Sequence, residues 1–182
     1  MSGFVLWFTG LSGAGKTTIA ANVAPELELR GLVVDQLDGD IVRTHLSKGL
    51  GYSKEDRDVN VARIAWVASR VARAGAAVIV SAISPYDEAR RHARSIVEAN
   101  APFVEVYVAT PIEECARRDP KGLYSAAFAG DIENFTGVSA PYEAPEHPEL
   151  RLDTTGSAPA ESAAAVLARL VHLGLIPAEV RT

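Results

Sequence analysis

Gly10-Leu11-Ser12-Gly13-Ala14-Gly15-Lys16-Thr17 satisfies the pattern G-x-x-x-x-G-K-[ST] at every fixed position. Glycines at these places let the backbone curl so that successive N–H groups point inward at phosphate oxygens. The Lys16 ammonium is then placed for the β- and γ-phosphates of a bound nucleotide, and the Thr17 hydroxyl for Mg2+. The flanks make the match credible. Phe4-Val5-Leu6-Trp7-Phe8 is a short β-branched and aromatic run directly before the loop, and Thr18-Ile19-Ala20-Ala21-Asn22-Val23-Ala24 continues after it with helix-forming alanines. The order strand, loop, helix N-terminus is the one a phosphate cradle requires.

Working outward, the chain has 182 residues with 48% hydrophobic content, which suits one well-filled core spanning 1–182 and is too short for two ordinary domains. A net charge of −5 argues against a nucleic-acid or membrane surface and leaves anion binding to local clusters. No basic segment with an apolar signal core opens the chain, and no apolar run reaches the roughly 20 residues of a membrane helix, so a cytoplasmic location is expected. The single cysteine, Cys115, has no internal disulfide partner, and the histidines (His45, His92, His147, His172) lack ligand-like spacing, so no structural metal is expected.

Strand and helix patterns alternate beyond the first helix. A second strand is predicted over 31–37, ending in Asp38-Gly39-Asp40; a helix over 56–74; a doubly buried strand over 76–80; a helix over 87–99; a strand over 103–108; and a short helix over 111–118. Residues 119–149 dissolve into Gly, Pro and polar positions with brief helical pieces, which in a compact domain reads as a lid or binding loop. A last short strand over 151–153 and an amphipathic helix over 158–173 close the chain. The fold class is therefore α/β: a P-loop parallel sheet with helices on both faces, a lid, and ligands at the carboxyl ends of the strands.

A phosphate cradle alone does not identify what receives the phosphoryl group. No Asn-Lys-x-Asp motif for guanine is present, and the strand at 76–80 ends in Ser81 rather than the carboxylate of a motor ATPase. The carboxylates within reach are Asp38 and Asp40. Each could hold Mg2+ through water or accept the proton of an attacking hydroxyl, and an Asp-rich turn capping the Ile41-Val42-Arg43 helix is the alternative.

At this point the sequence resembles the adenylyl-sulfate kinases (APS kinases). The likeness runs from Trp7 to about Thr155. It rests on the cradle, Leu37-Asp38-Gly39-Asp40 with Arg43, residues 50–57 (LGYSKEDR) with Asn60, Ile83-Ser84-Pro85-Tyr86, residues 118–124 (RDPKGLY), and Phe135-Thr136-Gly137 followed by residues 141–145 (PYEAP). The resemblance implies transfer of the ATP γ-phosphoryl to the 3′-hydroxyl of adenosine 5′-phosphosulfate (APS), giving 3′-phosphoadenylyl sulfate (PAPS) and ADP. It implies that Arg43, Arg57 and Asn60 bind the anion and ribose of APS, that Tyr52 and Phe135 sandwich its adenine, and that Ile83 and Ser84 contact it. Asp40 is expected to orient the hydroxyl and take its proton, and Asp38 to support the Mg2+ water shell or the Arg cluster. Lys121 matches the lid lysine, and Arg118, with Thr154-Thr155-Gly156, matches the surroundings of the ATP adenine.

Ser84 stands where the family has been described with a phosphoserine, but in-line transfer needs no covalent intermediate, so a substrate-site role is expected ahead of a chemical one. Tyr52 replaces the usual Phe, Asn134 a common Gly, and Asp87 a frequent basic residue, while Ser125, Ala126 and Phe128 make the lid less basic than is common. The resemblance also suggests a homodimer and functional coupling to an ATP sulfurylase. A kinase for another small molecule would need different acceptor residues, and a PAPS-sensing module without turnover would typically have lost the cradle.

Overall fold

The computed structural model describes residues 3–178. In chain order the elements are β1 (Phe4–Thr9), α1 (Lys16–Leu29), β2 (Val34–Asp38), α2 (Gly39–His45), α3 (Lys54–Arg73), β3 (Ala77–Ser81), α4 (Asp87–Glu98), β4 (Phe103–Val108), α5 (Ile112–Arg118), α6 (Leu123–Ala129), β5 (Leu150–Leu152) and α7 (Pro159–His172).

β1 is buried along its whole length because both of its faces are apolar. Phe4, Leu6 and Phe8 join a core with Ile19, Val23 and Leu27 of α1 and Val166 and Leu170 of α7. Val5 and Trp7 point the other way, into a second core with Ile64 and Ala68 of α3 and Ala93 and Val97 of α4. Each fully buried Leu or Phe contributes about 1.5–3 kcal/mol against its exposed state, which makes this strand the place where both helix layers are tied to the sheet. The sheet is all parallel in the order β2-β3-β1-β4-β5. The chain leaves β1 for β2 and β3 on one side, then crosses to β4 and β5 on the other. The loops after β1 and its neighbours diverge there, opening a crevice at the carboxyl end of the central strand. Residues 10–15 occupy it.

The parallel sheet, the helices on both faces and the alternation of elements are as the sequence predicts. The second strand differs: it begins at Val34 rather than Gly31. Gly31 instead ends α1 with φ 81°, its N–H donating to Glu28 O at 2.8 Å while the Leu32 N–H donates to Leu27 O at 3.2 Å. This paired closure takes up helix carbonyls and keeps the segment out of the sheet. α3 starts two residues before the predicted position because the Ser53 hydroxyl accepts the Asp56 N–H at 3.1 Å, an N-cap. Within the predicted lid, one helix, α6, is regular.

At Gly10 the backbone has φ 149°, and a Cβ there would stand 2.5 Å from the Val108 carbonyl oxygen on β4. Gly10→Ala is therefore expected to lower stability by about 2 kcal/mol or more, seen as a reduced urea midpoint with an unchanged m-value.

Candidate functional site

The loop between β1 and α1 has its carbonyls turned into the protein. Lys16 is only 8% exposed, and its Nζ donates to Gly10 O at 2.9 Å and Leu11 O at 2.7 Å. The Tyr124 hydroxyl donates to Ser12 O at 2.9 Å, and Arg118 Nη1 approaches Gly13 O at 3.5 Å. Thr110 Oγ1 and Thr154 Oγ1 both lie 2.9 Å from Ala14 O and 2.7 Å from each other, so their two protons serve three short contacts. Every carbonyl from Gly10 to Ala14 thus has a side-chain donor, which leaves the inner side of the loop to N–H groups. Gly15, at φ 111°, turns the chain into α1, whose N-terminus adds its own free donors and partial positive charge.

Burial pulls the Lys16 ammonium from its ordinary 10.5 down to about 8, only partly offset by the neighbouring charges of Asp38 and Asp40. Arg118 is fixed by Glu114 Oε1 at 2.8 Å, Thr154 Oγ1 at 2.8 Å and Thr154 O at 2.9 Å. It borders a hollow of about 130 Å3 shared with Gly15, Thr18, Ile19, Thr154, Ser157 and Pro159, beside the start of α1.

Next to the cradle, Thr17 Oγ1 donates to Asp38 Oδ2 at 2.8 Å, and Asp38 Oδ1 accepts the Asp40 N–H at 3.0 Å. Asp38 therefore caps α2, as one reading of the sequence proposed, and faces Thr17 with its other oxygen. Asp40 is engaged differently: its Oδ2 pairs with Lys121, the cation carried between α5 and α6. The hydrogen bond to Asp40 raises the Lys121 pKa. Among the described residues no three carboxylates, histidines or cysteines cluster as a metal cage. Thr17 and Asp38 instead offer two hard oxygens side by side, the sparse protein donor set with which Mg2+ is commonly held when phosphates supply the rest.

A second group of residues lies on α2, α3 and the loops they face. Arg57 is 7% exposed; its Nε donates to Tyr52 O at 3.0 Å and its Nη2 to Asn134 O at 2.7 Å. One guanidinium thereby ties the segment bearing Tyr52 to the one bearing Phe135. Burial, foremost, lowers the Arg57 pKa, and Arg43 adds to this. Arg43 donates to Gly51 O at 3.0 Å and lies 4.3 Å from the Tyr52 ring centroid, with Arg57 at 5.4 Å. Tyr52 is 57% exposed, whereas Phe135 is buried and meets Tyr124 edge-on at 5.0 Å. Asn60 is buried with its Oδ1 lacking a partner, a cost that a donor from a ligand would relieve.

Ile83 and Ser84 follow β3. Ile83 O accepts from Thr9 Oγ1 at 2.7 Å. Ser84 as a whole is 3% exposed, and its hydroxyl accepts from Trp7 Nε1 at 3.1 Å and approaches Ala82 O at 3.4 Å. It faces the core, so a contact between this loop and a ligand falls to the backbone, foremost at the part-exposed Ile83, rather than to a nucleophilic hydroxyl. Two contributors were not assigned roles from sequence: Tyr124, which anchors the lid to the cradle, and Thr110, which shares Ala14 O with Thr154. Tyr124 lies inside the quoted 118–124 block, but its partner is 112 residues away.

The sequence model of the family described as "Adenylylsulphate kinase" matches residues 2–153. An adenylyl-sulfate kinase from Picosynechococcus is 52% identical over 96% of this chain and 97% of its own length. A probable bifunctional SAT/APS kinase 2 from Sorangium cellulosum is 54% identical over 97% of this chain, which spans 30% of that longer protein. Among solved structures, the APS kinase of Mycobacterium tuberculosis in complex with AMPPNP and APS superposes with a TM-score of 0.90 at 43% identity, covering 93% of this chain and 98% of that one.

The depressed Lys16 pKa fixes the sign of a pH dependence. Below about 8 the ammonium is charged and attracts polyphosphate; above it the free loop carries a neutral amine that must take up a proton on binding. Calorimetry with ADP is expected to show affinity falling as pH rises beyond about 8, with proton uptake in that range. Lys16→Met should bind more weakly at every pH and lose the uptake.

Proposed function

The chain belongs to the adenylylsulphate kinase family, and we propose that residues 10–18 hold ATP while the Arg43, Tyr52, Arg57, Asn60 and Phe135 group holds the acceptor nucleotide. The protein is an ATP-dependent kinase of APS, placing the γ-phosphoryl on its 3′-hydroxyl to give PAPS and ADP. The observation that carries the residue assignments is the run of contacts from Thr17 through Asp38 to Asp40 and on to Lys121. It joins the cradle, a pair of carboxylates and a lid cation in one place.

Of the two carboxylates, Asp40 is the one we assign to the acceptor. Both oxygens of Asp38 are already engaged, by Thr17 and by the Asp40 N–H, whereas Asp40 is paired with a half-exposed lysine on the lid. When Lys121 turns to the phosphates, Asp40 is free to orient the 3′-hydroxyl and accept its proton. Phosphoryl transfer asks for in-line alignment and charge neutralisation more than covalent help. Lys16 supplies the first cation and Lys121, the one cation between Asp119 and Phe135, supplies the second. Mg2+ would be held by Thr17, with Asp38 through water, and when bound it neutralises phosphate charge.

Arg57 and Arg43 present planar forks suited to the phosphosulfate anion, and Asn60 has a buried polar atom in want of a partner. The hollow bordered by Arg118 and Thr154 is the place for the ATP adenine. We also assign the protein to the cytoplasm as a homodimer coupled functionally to an ATP sulfurylase. That no helix among the described residues could cross a membrane accords with this location, and the bifunctional relative accords with the coupling.

The deciding experiment measures ADP release with ATP and Mg2+, comparing APS, gluconate, nucleosides and no acceptor. APS-dependent ADP with equal PAPS is expected. Turnover with another acceptor would reassign the second site, and tight PAPS binding without turnover would make the protein a sensor. Asp40→Asn is expected to lower kcat by about 100-fold or more with the KM for ATP little changed. Lys16→Ala should remove most activity while leaving the far-UV spectrum of the fold, and unchanged turnover in that variant would sink the mechanism.

A further inference from the structure

The block Pro141-Tyr142-Glu143-Ala144-Pro145 has no role in the chemistry above, yet it is bonded to the loop that carries Ile83 and Ser84. The Glu143 N–H donates to Pro85 O at 2.8 Å, and Glu143 Oε2 accepts the Asp87 N–H at 2.8 Å. The Tyr142 hydroxyl lies 2.9 Å from Thr9 Oγ1, the same hydroxyl that donates to Ile83 O. At the centre is Arg90 in the first turns of α4, 2% exposed. Its Nη1 donates to Ser84 O at 2.8 Å and its Nη2 to Glu143 O at 2.7 Å. Its Nε stands 3.1 Å from Glu105 Oε1, a charge contact whose angle does not make a hydrogen bond.

Ser84 has φ 42°, a left-handed conformation that a residue with a side chain keeps only when its surroundings over-determine it. Three contacts do so. Trp7 and Thr9 reach it and its neighbour from β1, the strand that delivers the cradle; Arg90 reaches it from the opposite side and joins it to the 141–145 block. The planar fork of arginine can bond two carbonyls in fixed geometry while its charge is met by Glu105, which a single ammonium cannot reproduce. We propose that Arg90 is a positioning residue for APS: by clamping the Ser84 and Glu143 carbonyls together it sets where the Ile83–Ser84 backbone stands relative to the cradle. The inference rests on the reading above that this backbone contacts APS.

The test is Arg90→Lys, which keeps a positive charge beside Glu105 but loses the double clamp. The Kd for APS in the ADP complex is expected to rise about tenfold, with the Kd for ADP unchanged and the KM for APS rising in parallel. Should this variant not fold, Arg90→Met combined with Glu105→Leu removes both buried charges together and carries the same expectation. Equal weakening of ADP and APS, or unaltered APS binding in a less stable protein, would make Arg90 merely structural and overturn the proposal. In the unmutated protein the backbone amide signals of Ile83 and Ser84 are followed by NMR as APS is added. A response there with normal APS affinity in Arg90→Lys defeats the clamp alone, and no response defeats the reading of the loop on which it rests.

Discussion

A buried ammonium whose partners are backbone carbonyls is an arrangement that a phosphate improves. Lys16 spends two of its three protons on Gly10 O and Leu11 O, and loss of solvent lowers its pKa to about 8. A polyphosphate arriving in the loop brings the opposite charge that burial has left wanting. The lysine also shapes the loop before any ligand arrives, since it holds two carbonyls inward. Tyr124, Arg118, Thr110 and Thr154 do the same for the next three. These donors come from four separate places beyond β4. The cradle is therefore preorganised by the second half of the chain, although its own residues are contiguous.

That dependence explains the order of elements. β1 must be central, because only a strand with helices on both faces and neighbours on both edges can fix the loop that follows it. Trp7 and Thr9 extend the same strand's influence sideways, to Ser84 and Ile83 at the end of β3. Asp38 ends β2, in register with Ser81, and so comes out of the sheet beside that loop. Donor and acceptor sites are thus assembled on the carboxyl ends of three adjacent strands.

How much of this was legible in the sequence follows from range. The cradle motif and the strand–helix alternation that implies a parallel sheet are written in residues close together and are readable, and capping of α2 by Asp38 is one of the readings that Asp38-Gly39-Asp40 allows. The start of β2 was misplaced because Gly31-Leu32-Val33 looks like a strand in composition, while the competing closure of α1 is a backbone pattern of equal locality and less obvious signature. Tyr124, Thr110 and Arg90 act across 112, 96 and 53 residues on backbone oxygens that no residue type advertises. A serine in a substrate loop suggests chemistry, yet the direction of the Ser84 hydroxyl is decided by an indole 77 residues away. Identity of side chains could be inferred from pattern; which way each one points could not.

The contact between Lys121 and Asp40 raises the question of whether the free protein is locked. Their side chains are 59% and 73% exposed. Exposed ion pairs are worth about 0–1 kcal/mol, since water and salt screen them and two long side chains lose freedom in forming them. A nucleotide triphosphate offers the lysine several negative oxygens, and the acceptor hydroxyl offers the carboxylate a donor. Exchange of partners therefore costs little and returns more charge complementarity than it removes. The pair is better understood as a resting place than a lock: it keeps the lid's one cation beside the site in a chain of net charge −5. Had the same pair been buried, removing its partner would have left an unpaired charge at a cost of about 3–5 kcal/mol, and the lid would have resisted the nucleotide it serves.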